Sequence, residues 1–138
     1  MPEPEVSITD AALVFVTAVA RTANKVAATY PASVLVRKFE ENGFVLGNLV
    51  RSALCLTDEQ EAMTRLTKAL AMAAELKFAL EAMSAASMLA MGDYASVRTE
   101  TNHFTEAIQR ELTQRRQKKP VHRPTRIFGT KTTLGGAR

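Results

Sequence analysis

Glu100 and His103 form the pair in this chain that most resembles a metal-ligand motif. The Glu-x-x-His spacing puts both side chains on one helix face. Di-metal carboxylate bundles carry that motif on two helices, with a further glutamate from each of the other two. This chain has the motif once. Its other histidine, His122, has Lys119 three residues before it. Positions 100 and 103 also fall beside an apolar seam rather than on it, so we expect no metal there and read His103 as a surface or groove residue. Cys55 is the single cysteine. A reactive thiolate needs a base or a cationic neighbour, and no histidine is near it in sequence, so a buried structural thiol is expected. One cysteine allows no internal disulfide, which points to a reducing, cytoplasmic compartment. The chain has no phosphate-binding glycine loop, no catalytic carboxylate pair that can be placed, and no cofactor fingerprint. The expectation is a protein that is not an enzyme and has no cofactor.

The charge distribution carries the functional signal. Residues 1–114 hold 10 Lys/Arg and 14 Asp/Glu, a net −4. Residues 115–138 hold 8 Lys/Arg and no acid, a net +8. Clustered cations without acids neutralise phosphates and release counterions, and arginine suits bidentate phosphate contact. The candidate nucleic-acid-binding residues are therefore Arg115, Arg116, Lys118, Lys119, Arg123, Arg126, Lys131 and Arg138. The same segment has two prolines and three glycines and no long apolar period. It is read as a basic, largely irregular tail that buries too little to fold alone. Ile127 and Phe128 are its apolar exception, suited to docking on a partner or on the rest of the chain.

Four helical segments must position these residues. The stretch Thr57–Met91 has no proline or glycine and is rich in Ala, Leu, Met, Glu and Lys, which are strong helix formers. Steps of four and three give Ala62, Leu66, Ala69, Ala73, Leu76, Leu80, Met83, Ser87 and Ala90 as its seam. Thr57 and Gln60 are spaced as a capping box, and Gly92 is placed to end the helix. Met63, Met72, Met83, Met88 and Met91 are read as core filler. A helix this long needs other helices to cover it.

An earlier helix, capped by Ser7 or Thr9, is expected to run to about Thr29. Between Asp10 and Arg21 only Thr17 interrupts its apolar character. That run is too short to span a bilayer, and Glu3 and Glu5 precede it where an export signal would carry positive charge. We read it as packing its own core on one side and another subunit on the other. Tyr30-Pro31 breaks the chain. The next helix runs to about Leu56 with the seam Leu35, Phe39, Asn42, Leu46, Leu49, Ala53 and Leu56. Gly43 and Gly47 on it point to close approach of a neighbouring helix. Asp93 is placed to cap a fourth helix, with the seam Tyr94, Val97, Thr101, Phe104, Ile108 and Leu112, fading near Arg116. Short breaks favour antiparallel neighbours. The expected fold is all-α, an antiparallel up-down four-helix bundle over 1–114, followed by the basic tail at 115–138.

The Tyr30-Pro31 hinge, the helix around LTKALAMAAELKFALEAM and the stretch MGDYASVRTETNHF together resemble a bacterial four-helix-bundle family. That family includes proteins encoded in intervening sequences of ribosomal RNA genes and the accessory variability determinant of diversity-generating retroelements. The likeness runs over roughly residues 11 to 114. The ribosomal branch carries a Pro-Ser-Asn-Ile-Ala-Glu-Gly-like stretch in its second helix, where this chain reads GFVLGNLVR with Asn48 as the clear echo. The likeness thus leans to the retroelement type. It implies a ring-shaped homopentamer with no activity of its own, binding RNA or DNA and a reverse transcriptase. In that type the basic surface lies on the bundle, whereas this body is acidic, so the tail is expected to carry more of the electrostatics. The alternatives are a structural protein–protein interaction module with a docking tail, or a ribosomal intervening-sequence protein.

Overall fold

The computed structural model describes residues 7–118. They form four helices: α1 Ile8–Thr29, α2 Val34–Leu54, α3 Glu59–Ala85 and α4 Met91–Lys118. Each of α1, α2 and α3 starts at a side-chain oxygen that takes an otherwise unpaired N–H. Ser7 Oγ accepts from the Asp10 amide at 3.1 Å, Ser33 Oγ from Val36 at 3.3 Å, and Asp58 Oδ1 from Glu61 at 3.2 Å. The cap of α3 is thus Asp58, one residue after the expected Thr57.

The helices close into a ring, α1 against α2, α2 against α3, α3 against α4, and α4 back against α1. Cross-links fix the directions. Val19 lies against Gly43 and Val16 against Gly47, so α1 and α2 are antiparallel. Lys25 near the end of α1 reaches Asp93 near the start of α4. Arg115 near the end of α4 reaches Glu59 at the start of α3. This is the up-down-up-down bundle. Its centre holds Phe15, Phe39, Leu46, Leu66, Leu76, Leu80, Phe104 and Ile108, each at most 1% exposed. The Phe15 and Phe104 rings stack with centroids 4.8 Å apart.

The α3 seam is buried as expected from Ala62 to Met83, but Ser87 and Ala90 are exposed. The helix stops at Ala85, short of Met91. Ser87 takes a left-handed φ of 60°, the Met88 amide bonds the Met83 carbonyl at 2.9 Å, and the Ser87 amide bonds that of Ser84 at 3.0 Å. That is a Schellman C-terminus, in which two amides beyond the helix end satisfy two of its last carbonyls. Ser87, not Gly92, is the terminator, and Gly92 lies within α4. Leu89 in the connection turns back into the core. Of the methionines, Met83 is buried, Met63, Met72 and Met88 are half-buried, and Met91 is exposed. An L-residue in the left-handed region costs about 1–2 kcal/mol. Ser87→Gly should therefore stabilise the protein by about 1 kcal/mol, read as a higher urea midpoint at unchanged slope.

On α2 the buried line is Val36, Phe39, Gly43, Leu46, Gly47, Val50 and Ala53. Leu35, Asn42 and Leu49 of the expected seam are only half-buried. The glycines explain the rotation. A Cβ on Gly43 would sit 2.6 Å from Val19 Cγ1, and one on Gly47 2.4 Å from Val16 Cγ2. Without those carbons α1 comes close, and α2 turns its glycine side inward. Val19 is 1% exposed and stiff at χ1, so it has little room to yield. Gly43→Ala should destabilise by about 1–2 kcal/mol, overpacking outweighing the helix-propensity gain. In a Val19→Ala background the same change should stabilise. Denaturant curves giving equal effects in both backgrounds would show that the close approach is absent.

Candidate nucleic-acid interface

The sequence-predicted cations divide at Lys118. Lys119, Arg123, Arg126, Lys131 and Arg138 lie outside the described residues, as do His122, Ile127, Phe128 and the first six residues. Arg115, Arg116 and Lys118 are on α4, whose helix continues four residues into the segment read as tail. Their environments differ. Arg115 Nε donates to Glu111 Oε2 at 2.8 Å, and its Nη1 donates to both Glu59 carboxylate oxygens at 3.1 and 3.0 Å. Burial pulls the Arg115 pKa down, but the hydrogen bonds and charges of Glu111 and Glu59 outweigh it, and the net shift is upward. Its side chain is 16% exposed. Arg115 therefore ties the end of α4 to the start of α3. Arg116 and Lys118 are exposed.

The same end of the bundle carries acids. Asp58, Glu59 and Glu61 stand at the start of α3, where negative charge complements the helix dipole. Arg115 offsets part of this field. A phosphate approaching here meets Arg116 and Lys118 as open donors and the α3 carboxylates as repulsion.

The motifs weighed for chemistry stand apart from one another. Glu100 Oε1 and His103 Nδ1 are 3.9 Å apart, with side chains 32% and 64% exposed. Among the described residues no group of three His, Cys, Asp or Glu side chains converges as a ligand set. Cys55 is exposed, which overturns the expectation of a buried thiol. It is the C-cap of α2, just after Leu54, at the helix end. By length and composition α1 is apolar enough to cross a membrane; within the bundle it buries Phe15, Val19, Ala23 and Val26.

Leu13, on the apolar face of α1 read as a subunit contact, is 68% exposed. The residues that the sequence did not bring out are also apolar and outward: Val14, Phe44, Val45 and Phe78 are 48%, 63%, 49% and 74% exposed. Their signal was present, since each large apolar residue falls off its helix seam. Val16 and Val19, by contrast, are occupied within the protomer against the α2 glycines.

Comparison with known proteins gives a likeness of fold. No family model matches the chain, and no curated protein matches it. Among solved structures it is similar to a protein of unknown function from the S23 ribosomal protein family of Bacteroides thetaiotaomicron, at 16% identity and a TM-score of 0.71. The match covers 76% of this chain and 97% of that one. At this identity the likeness establishes the helical bundle.

Proposed function

We propose that this protein is a non-enzymatic, oligomeric nucleic-acid-binding accessory protein that assists a reverse transcriptase, acting in the cytoplasm without a membrane or cofactor. The observation that carries the reading is the separation of charge: a body of net −4 and a C-terminal segment of net +8. Arg116 and Lys118 expose that charge at the bundle end. The bundle orients and multiplies the segment, and the segment binds phosphates. The reverse transcriptase and the five-subunit ring come from the family resemblance, which the S23-type fold supports at the level of architecture. Five segments on one ring would act together through effective concentration. The deciding experiment is filter binding of RNA and DNA by full-length protein and by a charge-neutralised variant, as developed in the Discussion.

Assembly has its own test. Light scattering should return about five times the chain mass of 15.1 kDa at micromolar concentration. Val14→Glu and Phe78→Glu should shift the mass toward a single chain while leaving helicity intact, because both positions are outward and a charge there loses water only when a subunit covers it. A mass of one chain for the unaltered protein would end the oligomeric reading.

The second reading is a protein–protein interaction module. Its specific support is the set of outward apolar residues just named, which exceeds what bundle formation requires. Unchanged nucleic-acid affinity in the neutralised variant would favour it.

A further inference from the structure

The α1–α2 groove has a candidate occupant in this chain. Asp10, Leu13 and Val16 of α1 and Phe44, Arg51 and Leu54 of α2 line a groove of about 400 Å³. Its walls are mostly apolar, and the side chains of Leu13 and Phe44 stand open to solvent. It lies at the end of the bundle where α1 begins and α2 finishes. α4 finishes at that same end, because Arg115 is bound to Glu59, the first residue of α3.

Beyond Lys118, Ile127 and Phe128 are the one adjacent pair of large apolar residues. Ile127 is nine residues past Lys118, and nine residues reach up to about 30 Å. Neighbouring helix axes are about 8–10 Å apart, so even the diagonal of the bundle is about 14 Å. The groove is within the tether's length.

We propose that Ile127 and Phe128 seat in the α1–α2 groove of their own chain, covering Leu13 and Phe44. The short tether presents the pair to its own groove at an effective concentration on the order of millimolar. The inference rests on the groove and the tether and does not depend on what the tail cations bind.

Cys55 supplies the test. It is the single native thiol, it is exposed, and it follows Leu54 on the groove wall. In full-length Gly129→Cys, a docked Phe128 would hold the new thiol near Cys55, and a disulfide requires the two Cα atoms to come within about 7 Å. Micromolar protein is oxidised in a glutathione buffer and followed by intact mass and non-reducing gels. An intramolecular disulfide between Cys55 and the introduced thiol should form. Adding Phe128→Ala, or adding Phe44→Glu at its exposed position, should slow it by about tenfold as the local concentration falls. Circular dichroism checks that each variant keeps its helices. A rate that either change leaves within about twofold would overturn the proposal. So would an intermolecular disulfide as the main product at any protein concentration, because the groove would then take the segment of a second copy. No nucleic acid is present, so this outcome is independent of the functional reading.

Discussion

Replacing Arg116, Lys118, Lys119, Arg123, Arg126, Lys131 and Arg138 by glutamine should abolish most of the affinity for RNA and DNA. The seven changes take the net charge from +4 to −3. Arg115 is left in place because its guanidinium holds Glu59 and Glu111, and its loss would disturb the bundle as well as the charge. Glutamine has nearly the helix propensity of lysine and arginine, so the last turn of α4 is retained. If each of the seven cations neutralises one phosphate on a single strand, affinity of the unaltered protein should fall about 10³-fold for a fourfold rise in salt. The glutamine variant should bind weakly and show almost no salt slope. Little sequence preference is expected, since phosphate contacts position rather than specify. Filter binding at two salt concentrations, with circular dichroism on both proteins, decides it. Equal affinity and equal slope would show that these cations are not the nucleic-acid site, and the interaction-module reading would replace this one.

Leu76→Ala should cost about 2–5 kcal/mol of folding stability, the range for removing a buried leucine where the surroundings cannot collapse. Leu76 is 0% exposed and stands mid-way along α3 in the central cluster, with Ala73 and Leu80 on the same buried line. α3 packs on both α2 and α4, so the cavity would open between three helices that are already fixed by their neighbours. A drop in Tm of about 10 °C or more should accompany it. Urea denaturation is the measurement. A loss below about 0.5 kcal/mol would mean the site fills by relaxation or that α3 is turned differently, since that is the usual scale of a surface change. Leu80→Ala, 1% exposed, should behave in the same way.

How far the sequence spoke depended on whether a feature was local. The α3 seam from Ala62 to Met83 was legible because a 3.6-residue apolar period needs no partner to be recognised. The α1 start, narrowed to Ser7 or Thr9, and the break at Tyr30-Pro31 follow from local hydrogen bonding and proline geometry. The separation of charge between body and tail is a property of composition alone. On α2 the apolar pattern allowed two neighbouring faces, and the choice fell to a neighbour. Gly43 and Gly47 admit Val19 and Val16 of α1, and that approach brings Val36 and Val50 inward in place of Leu35 and Leu49. The α3 terminator was hidden because Ser87 adopts a conformation that glycine would ordinarily supply, held by Met88 and Leu89 packing back on the core.

For the site, the sequence by itself determined which residues are cations and where along the chain they begin. Only the tertiary structure decided that Arg115 belongs to the bundle. Glu59 lies 56 residues earlier and becomes its partner only when antiparallel packing returns the end of α4 to the start of α3. The same packing decided that Leu13 and Phe44 face a groove, at the end from which the basic segment departs. Apolar content is written in the chain; which of it stays uncovered depends on the helices that become its neighbours.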